Sequence, residues 1–269
     1  MKLTTLIYHD VLAATGIDDS GFRGAAAASY KLEESSFRKH LDVVARALDG
    51  RHVATLRSKA DLLAADGAVC LTFDDGGSSS LGRISDALEE RGWRGQFFVI
   101  SAYIGLEGFM VPTAIRRLHE RGHAIGTHSA THPRRMSKLA PAEICAEWRD
   151  SAARIADIIG AAVTVGSVPG GYYAPVVALA AAEAGLDVLF TSEPTRRVWS
   201  VNNTMIAGRF SVTRRSGTDF VDSIVRGRIA TELRSQAAWQ AKKVLKLVGG
   251  RGWLAARRAA FEVVRQIKK

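Results

Sequence analysis

Leu71-Thr72-Phe73-Asp74-Asp75-Gly76-Gly77 decides how this chain is read. The run 69–73 is apolar enough to be a strand covered on both faces, as in a parallel sheet sandwiched by helices. It leads straight into two carboxylates and two glycines. In parallel α/β sheets, the side chains at the C-terminal ends of strands line the crevice where sites form. Successive strand residues face opposite sides, so Asp74 and Asp75 need a bend to share one pocket, and Gly76-Gly77 can supply it. Adjacent carboxylates repel unless a cation or a shared proton separates their roles. A metal on one would leave the other free as a base. The same residues also suit a helix N-cap and turn, and on this stretch alone both readings stand.

Outward from this point, short apolar runs alternate with helical patterns. Strands are expected near 3–9, 69–73, 95–100, 123–127, 163–168, 187–191 and 206–212. Helices are expected over 35–48, 79–91, 112–121, 141–159, 175–184, 219–248 and 252–267. Pro112, Pro141 and Pro175 fall where a first helical residue belongs. Gly92, Gly122, Gly160 and Gly185 follow helical stretches and suit a left-handed cap. Strand–helix alternation with short connections predicts βαβ units around a parallel sheet, either a barrel or a doubly wound sheet. Residues 11–30 read as a long loop. No apolar run approaches the ~18 residues of a membrane span, and the first ten residues do not read as a secretory signal. Two cysteines, Cys70 and Cys145, are too few for a disulfide framework. The expected compartment is therefore the cytoplasm.

A second polar strand end is His123-Ala-Ile-Gly-Thr-His128-Ser-Ala-Thr-His132-Pro133. On a helical turn, His128 and His132 at i and i+4 would share a face and reach one ion. Two histidines and a carboxylate, with positions open to water and substrate, are a common catalytic metal set. The alternative is a pair of solvated loop histidines. His119-Glu120-Arg121-Gly122-His123 matches the HExxH pattern of zinc proteases, which needs both rings on one helix; Gly122 breaks it, so that reading is rejected. His9-Asp10 closes the first strand, as a polar terminus or as part of the same mouth.

These two stretches resemble the first two motifs of the polysaccharide deacetylase (NodB-homology) family, T-F-D-D-G and H-[ST]-x-x-H-P, matched at 72–76 and 128–133. The resemblance spans residues 1 to about 215. It implies a distorted (β/α) barrel of about seven strands. It also implies Asp74 as base, and Asp75, His128 and His132 as ligands of a divalent metal, zinc above all, with Co, Ni, Mn or Fe as alternatives. Further along the match loosens. Ser167-Val168-Pro169-Gly170-Gly171-Tyr172-Tyr173 sits where the family has R-x-P-[YF], so Ser167 stands in place of the arginine that orients the base. No histidine follows His132, so the family's closing acid is missing too. Arg209 or Arg214 could substitute, or the chemistry could be altered or lost. Glu193, Arg209 and protonated Asp74 are the candidate acids. Pro169, Gly170, Tyr172 and Tyr173 are the candidate substrate contacts, with the Tyr172 N–H facing the oxyanion.

The implied activity is metal-dependent hydrolysis of an N-acyl group, N-acetyl above all, on a sugar. A non-catalytic carbohydrate-binding descendant is the second reading. Charge narrows the partner. The formal net charge is +10, yet residues 221–269 carry twelve basic and three acidic side chains, leaving the rest nearly neutral. The expected division is therefore a barrel over 1–218 and a basic amphipathic helical tail over 219–269. Such a tail, with Trp239 and Trp253, suits an anionic inner-membrane surface; the alternative is that its helices cap the barrel and their charges are merely solvated. The expected substrate is then a glycan precurso of surface polysaccharide or lipopolysaccharide O-antigen. The tail lacks the interleaved aromatics of nucleic-acid modules, so nucleic acid is not expected as a partner.

Overall fold

The computed structural model describes the backbone of residues 1–248 and the side chains of residues 1–241. In chain order it runs β1 (Thr4–Tyr8), β2 (Val11–Leu12), α1 (Ala25–Ala28), β3 (Leu32–Glu33), α2 (Glu34–Ala47), α3 (Lys59–Ala64) and β4 (Val69–Phe73). Then come α4 (Arg83–Glu89), β5 (Gln96–Val99), α5 (Pro112–Glu120), β6 (Ala124–Thr127), α6 (Pro141–Ile159), β7 (Val165–Ser167), α7 (Pro175–Glu183) and β8 (Val188–Phe190). The described part closes with β9 (Val198–Val201), β10 (Thr204–Ala207), β11 (Phe210–Ser211), α8 (Thr218–Val225) and α9 (Ile229–Val248). Nine strands form one sheet in the order β11-β1-β4-β5-β6-β7-β8-β10-β9, parallel except for the β9–β10 hairpin. The expected α/β class and (β/α)-barrel-like architecture are therefore present, as a curled, mostly parallel sheet of nine strands where about seven were expected.

The residues explain the layers. Every residue of β4 is buried, because helices cover one face and the curled interior covers the other. Tyr8, Phe73 and Phe97 stack in sequence at centroid distances of 5.6 and 4.9 Å, tying three neighbouring strands together. Gly126 on β6 is small by necessity: a Cβ there would lie 2.6 Å from both the Phe98 ring and the Val165 carbonyl. Pro112, Pro141 and Pro175 each open a helix, and Gly160 closes α6 in the left-handed conformation at φ 69°.

The structure corrects the expected strand over 206–212. Gly208 and Arg209 break it into β10, which pairs with β8, and β11, which pairs with β1. Consecutive pieces of one strand thus touch opposite ends of the parallel array, which is how the sheet curls. Gly208 passes so close to its neighbours that a Cβ would lie 2.5 Å from the Thr195 carbonyl. The β9–β10 hairpin, turning at Asn202 (φ 49°), went unread because Val198–Val201 is only half-buried and carries little apolar signal. Residues 11–30 are mostly loop, but β2 at their start pairs with β3 just beyond them, and the short α1 lies between.

The helix expected over 219–248 is two helices, separated at Gly227 (φ 72°). Val221, Ile224 and Val225 of α8 are buried, so core packing continues past residue 218. No helix among the described residues is long and apolar enough to cross a membrane. The helix expected over 252–267, with Trp253, lies outside the described residues.

Candidate metal centre

β4 ends at Phe73, and the bend that brings both carboxylates to one pocket begins earlier than the glycines. Asp75 itself is left-handed, at φ 76°, followed by Gly76 at φ 80°. A non-glycine residue held there is strained, as is common where a side chain must be aimed. Asp74 is 5% exposed, and its N–H donates to the Tyr8 carbonyl (3.0 Å). Asp75 turns the other way, toward the histidines.

His128 and His132 meet there too, but not on a helical turn. Residues 128–132 form a loop with Ser129 (φ 68°) and His132 (φ 55°) left-handed, and the two rings lie 5.2 Å apart. Side chains hold this loop: Thr127 Oγ1 accepts from the Ser129 N–H, Ser129 Oγ accepts from the His132 N–H, and Glu147 accepts from the Thr131 N–H and hydroxyl. His128 Nε2 lies 3.4 Å and His132 Nε2 3.7 Å from the same Asp75 oxygen. The three ligand atoms fall within 4.8 Å of one another. His128 Nδ1 donates to the Ser167 carbonyl (2.9 Å), which leaves the Nε2 lone pair facing the centre. Burial, then His128, lowers His132 to a pKa of about 4, so it offers a neutral imidazole. The donor set therefore fits a divalent ion of the zinc type, with one carboxylate and two imidazoles.

Arg209 settles which arginine serves Asp74. It is wholly buried, and its guanidinium grips the carboxylate bidentately: Nη1 to Oδ1 at 2.8 Å and Nη2 to Oδ2 at 2.9 Å. It also donates to Ser167 Oγ (2.6 Å), Thr72 Oγ1 (3.0 Å) and the Thr191 carbonyl (3.0 Å). Burial pushes the Asp74 carboxyl up, but Arg209 and His128 outweigh it and hold the group well below the usual carboxylate range. Arg214 instead bridges Glu33 at the surface. With every N–H of its guanidinium engaged, Arg209 fixes the Asp74 carboxylate in place and has no proton free to give. Ser167, in the place of the family arginine, completes the arrangement by bonding both partners.

His9 follows β1 in register with Asp74, because Tyr8 pairs with Phe73. It packs on Tyr30 at 4.9 Å, and it lies near enough to Asp74, Asp75 and His132 to act on each of them electrostatically. It is thus part of the same mouth. The signal for it was the shared end of two adjacent parallel strands, which the sequence shows only once β1 and β4 are known to pair. The Glu193 carbonyl accepts from the Arg209 N–H (2.9 Å). Its carboxylate adds a minor upward push on the Tyr173 phenol, behind burial. Pro169 is buried, Gly170 and Gly171 are left-handed, and Tyr172 lies under Arg135 at 5.8 Å. Tyr173 meets Trp199 edge-on at 6.1 Å. Phe22 contacts Tyr103, Phe109 and the His132 ring at 5.2, 5.2 and 5.5 Å, forming a half-buried aromatic wall beside a candidate metal ligand.

His119 and His123 do not converge. His119 is on α5, whereas His123 is buried beyond it, accepting from the Gly95 N–H (3.0 Å) and facing Glu89 (2.8 Å).

Comparison with known proteins agrees with the motifs. Residues 64–189 match the family model for polysaccharide deacetylase. A chitooligosaccharide deacetylase from a Bradyrhizobium species is 36% identical over 78 residues, covering 29% of this chain and 33% of that one. The chain spans about a third or less of the length of the curated relatives it matches. Two solved structures share its fold. The Streptococcus pyogenes deacetylase PplD gives a TM-score of 0.66 at 16% identity, over 81% of this chain and 96% of that one. A polysaccharide deacetylase from Bacillus cereus gives 0.69 at 15%, over 84% and 69%. The resemblance to polysaccharide deacetylases, with its (β/α)-barrel architecture, is therefore shown.

Proposed function

We propose that this protein is a metal-dependent deacetylase that removes an N-acetyl group from a sugar unit of a glycan. The observation that carries the reading is the bidentate grip of Arg209 on Asp74. The motif arginine is absent, yet its charge is delivered to the same carboxylate, which a mere sugar-binding descendant would have no need to keep. Asp75, His128 and His132 would hold the ion. A divalent ion there would supply Lewis-acid polarisation of an acyl oxygen and acidify water toward a pKa of ~7.

The chain's own residues do the rest. Asp74, kept ionised by Arg209, accepts the proton of the attacking water. The Tyr172 N–H, at the end of the Gly170–Gly171 turn, is assigned to the oxyanion. His9, beside Asp74 at the shared end of β1 and β4, replaces the missing family acid and donates to the leaving amine. The aromatic wall of Phe22, Tyr103 and Phe109 offers a face for a pyranose ring. Zinc is the metal that the donor set favours. The basic C-terminal segment supports a glycan precursor, of surface polysaccharide or lipopolysaccharide O-antigen, presented at an anionic inner-membrane surface on the cytoplasmic side.

The test pairs metal content with acetate release from N-acetylglucosamine oligomers. Asp75→Asn and His128→Gln are expected to lose both. Wild-type turnover in either variant, or a wild-type protein that cannot be loaded with a divalent ion, overturns the proposal.

A further inference from the structure

Outside the metal centre, two buried ionisable side chains grip a single serine. Residues 14–19 are exposed, whereas Ser20 and Gly21, where this loop comes down onto the barrel, are buried. Asp10, 3% exposed, accepts from the Ser20 hydroxyl, and Lys31, 2% exposed, donates to the Ser20 carbonyl. Lys31 also pairs with Asp18. The β2–β3 pair brings these groups together, because Asp10 precedes Val11 and Lys31 precedes Leu32, whose N–H donates to the Asp10 carbonyl (3.0 Å). Ser20 is thus held by its side chain from one strand and by its backbone from the other.

The chain that follows leads to the mouth. Gly21 passes Asp10 so closely that a Cβ would lie 1.9 Å from Asp10 Oδ2, and its N–H donates to the Gly108 carbonyl (2.7 Å). The same carbonyl accepts from the Ser78 N–H (2.9 Å), in the loop after Asp75. Phe22 comes next, against Tyr103, Phe109 and the His132 ring. A buried ammonium destabilises unless its partners satisfy it, and an apolar side chain would fill the same space without that cost. What the polar anchor adds is a single fixed arrangement. Gly16 (φ 75°) and Gly24 (φ 104°), at either end of the loop, have nothing within 4 Å of a Cβ, so packing at these two positions does not replace the clamp.

From this arrangement we infer that Lys31 is a positioning residue for the glycan. With Asp10 it fixes Ser20, and through Ser20 it holds Phe22 against the His132 ring as one side of the sugar-binding face. The inference rests on the proposed reading, in which that face meets a pyranose ring. Lys31 bonds Asp18 and Ser20, neither of which belongs to the metal centre. Its effect therefore falls on the affinity for the glycan and not on the hydrolytic step.

Kinetics on N-acetylglucosamine oligomers, metal content and hydrogen exchange of the full-length protein test the clamp. Lys31→Met is expected to raise KM about three- to tenfold, as the misplacement of one aromatic contact implies. Its kcat and bound metal should match the wild type. Lys31→Met/Phe22→Ala is expected to be no worse than Phe22→Ala, because both act through one contact, whereas a role confined to stability would add. Exchange at the Gly21 N–H should be about tenfold faster or more in Lys31→Met, while the amides of β4 keep their wild-type protection. If Lys31→Met does not fold, Asp18→Asn, at the exposed end of the ion pair, is expected to shift KM and exchange in the same direction. Unchanged exchange at Gly21, an unchanged KM, or additive effects in the double variant overturns the inference. A wild type that releases no acetate counts against the proposed activity, and exchange at Gly21 then decides the clamp alone.

Discussion

The Arg209 guanidinium lies flat against the Asp74 carboxylate, with two parallel N–H···O contacts of 2.8 and 2.9 Å in a fully buried setting. Such a pair is fixed in geometry as well as charge. Lysine can supply the charge but not the fork. Arg209→Lys is expected to fold and to lose on the order of a hundredfold in kcat through misplacement of the base. Arg209→Met leaves Asp74 buried and unpaired, and should lose about 3–5 kcal/mol in denaturant melts. Wild-type kcat in the lysine variant would refute the positioning role.

His9 is expected to act on the leaving group without touching the metal ligands. His9→Gln should lower kcat by about 10²–10⁴-fold while leaving bound metal at the wild-type level. Metal analysis alongside single-turnover acetate release separates the two effects. Loss of the metal in this variant would show that His9 serves the ligand set instead.

Phe22 forms one side of the aromatic wall by His132. Phe22→Ala is expected to raise KM for N-acetylglucosamine oligomers about three- to tenfold, as one lost aromatic contact implies. An unchanged KM would place the glycan elsewhere.

Asp10 is pinned by the hydroxyls of Ser20 and Ser79, and it fills the space beside Gly77. A Cβ on Gly77 would lie 1.9 Å from Asp10 Oδ1 and 2.7 Å from Ser20 Oγ. Gly77→Ala should therefore destabilise by about 1–3 kcal/mol, read as a lowered urea midpoint. It should also reduce activity by shifting the neighbouring Asp75.

His123 and Glu89 make stability depend on pH. Burial, against the pull of Glu89, lowers the His123 pKa, so the folded state binds fewer protons there than the unfolded chain. Its stabilising share is full above the unfolded value of about 6.5 and is lost as pH falls below it. The Glu89 pKa is lowered chiefly by Arg121, so its share is likewise lost at still lower pH. Tm is expected to fall steadily from pH 7 to pH 4, with a shallower slope between pH 7 and 5 in His123→Gln. Equal slopes in that interval would remove His123 as a cause.

Local pattern made much of the frame legible. The strand at 69–73 and the helix starts at Pro112, Pro141 and Pro175 declare themselves through apolar runs and backbone restriction. The candidate metal ligands are legible because Asp75, His128 and His132 sit in two contiguous motifs. Arg209 and His9 were harder, since each depends on which strands become neighbours. Arg209 could be named only as one of two arginines, because the break at Gly208 that aims it inward leaves no periodic trace. His9 looked like an ordinary polar strand end until β1 and β4 paired. The i and i+4 spacing of His128 and His132 predicts a helical turn where the structure has a loop, because spacing does not report the left-handed backbone at Ser129 and His132.

The positive charge on Asp74 arrives from the opposite rim of the wheel, carried by the strand that joins its two ends. A spoke has been moved while the hub is unchanged. Relatives that have relocated the same guanidinium would look broken to any search that asks for a given letter at a given address. Whether such a protein is alive or dead is better asked of the hub: does a buried cation still sit on the base, from whichever direction it comes?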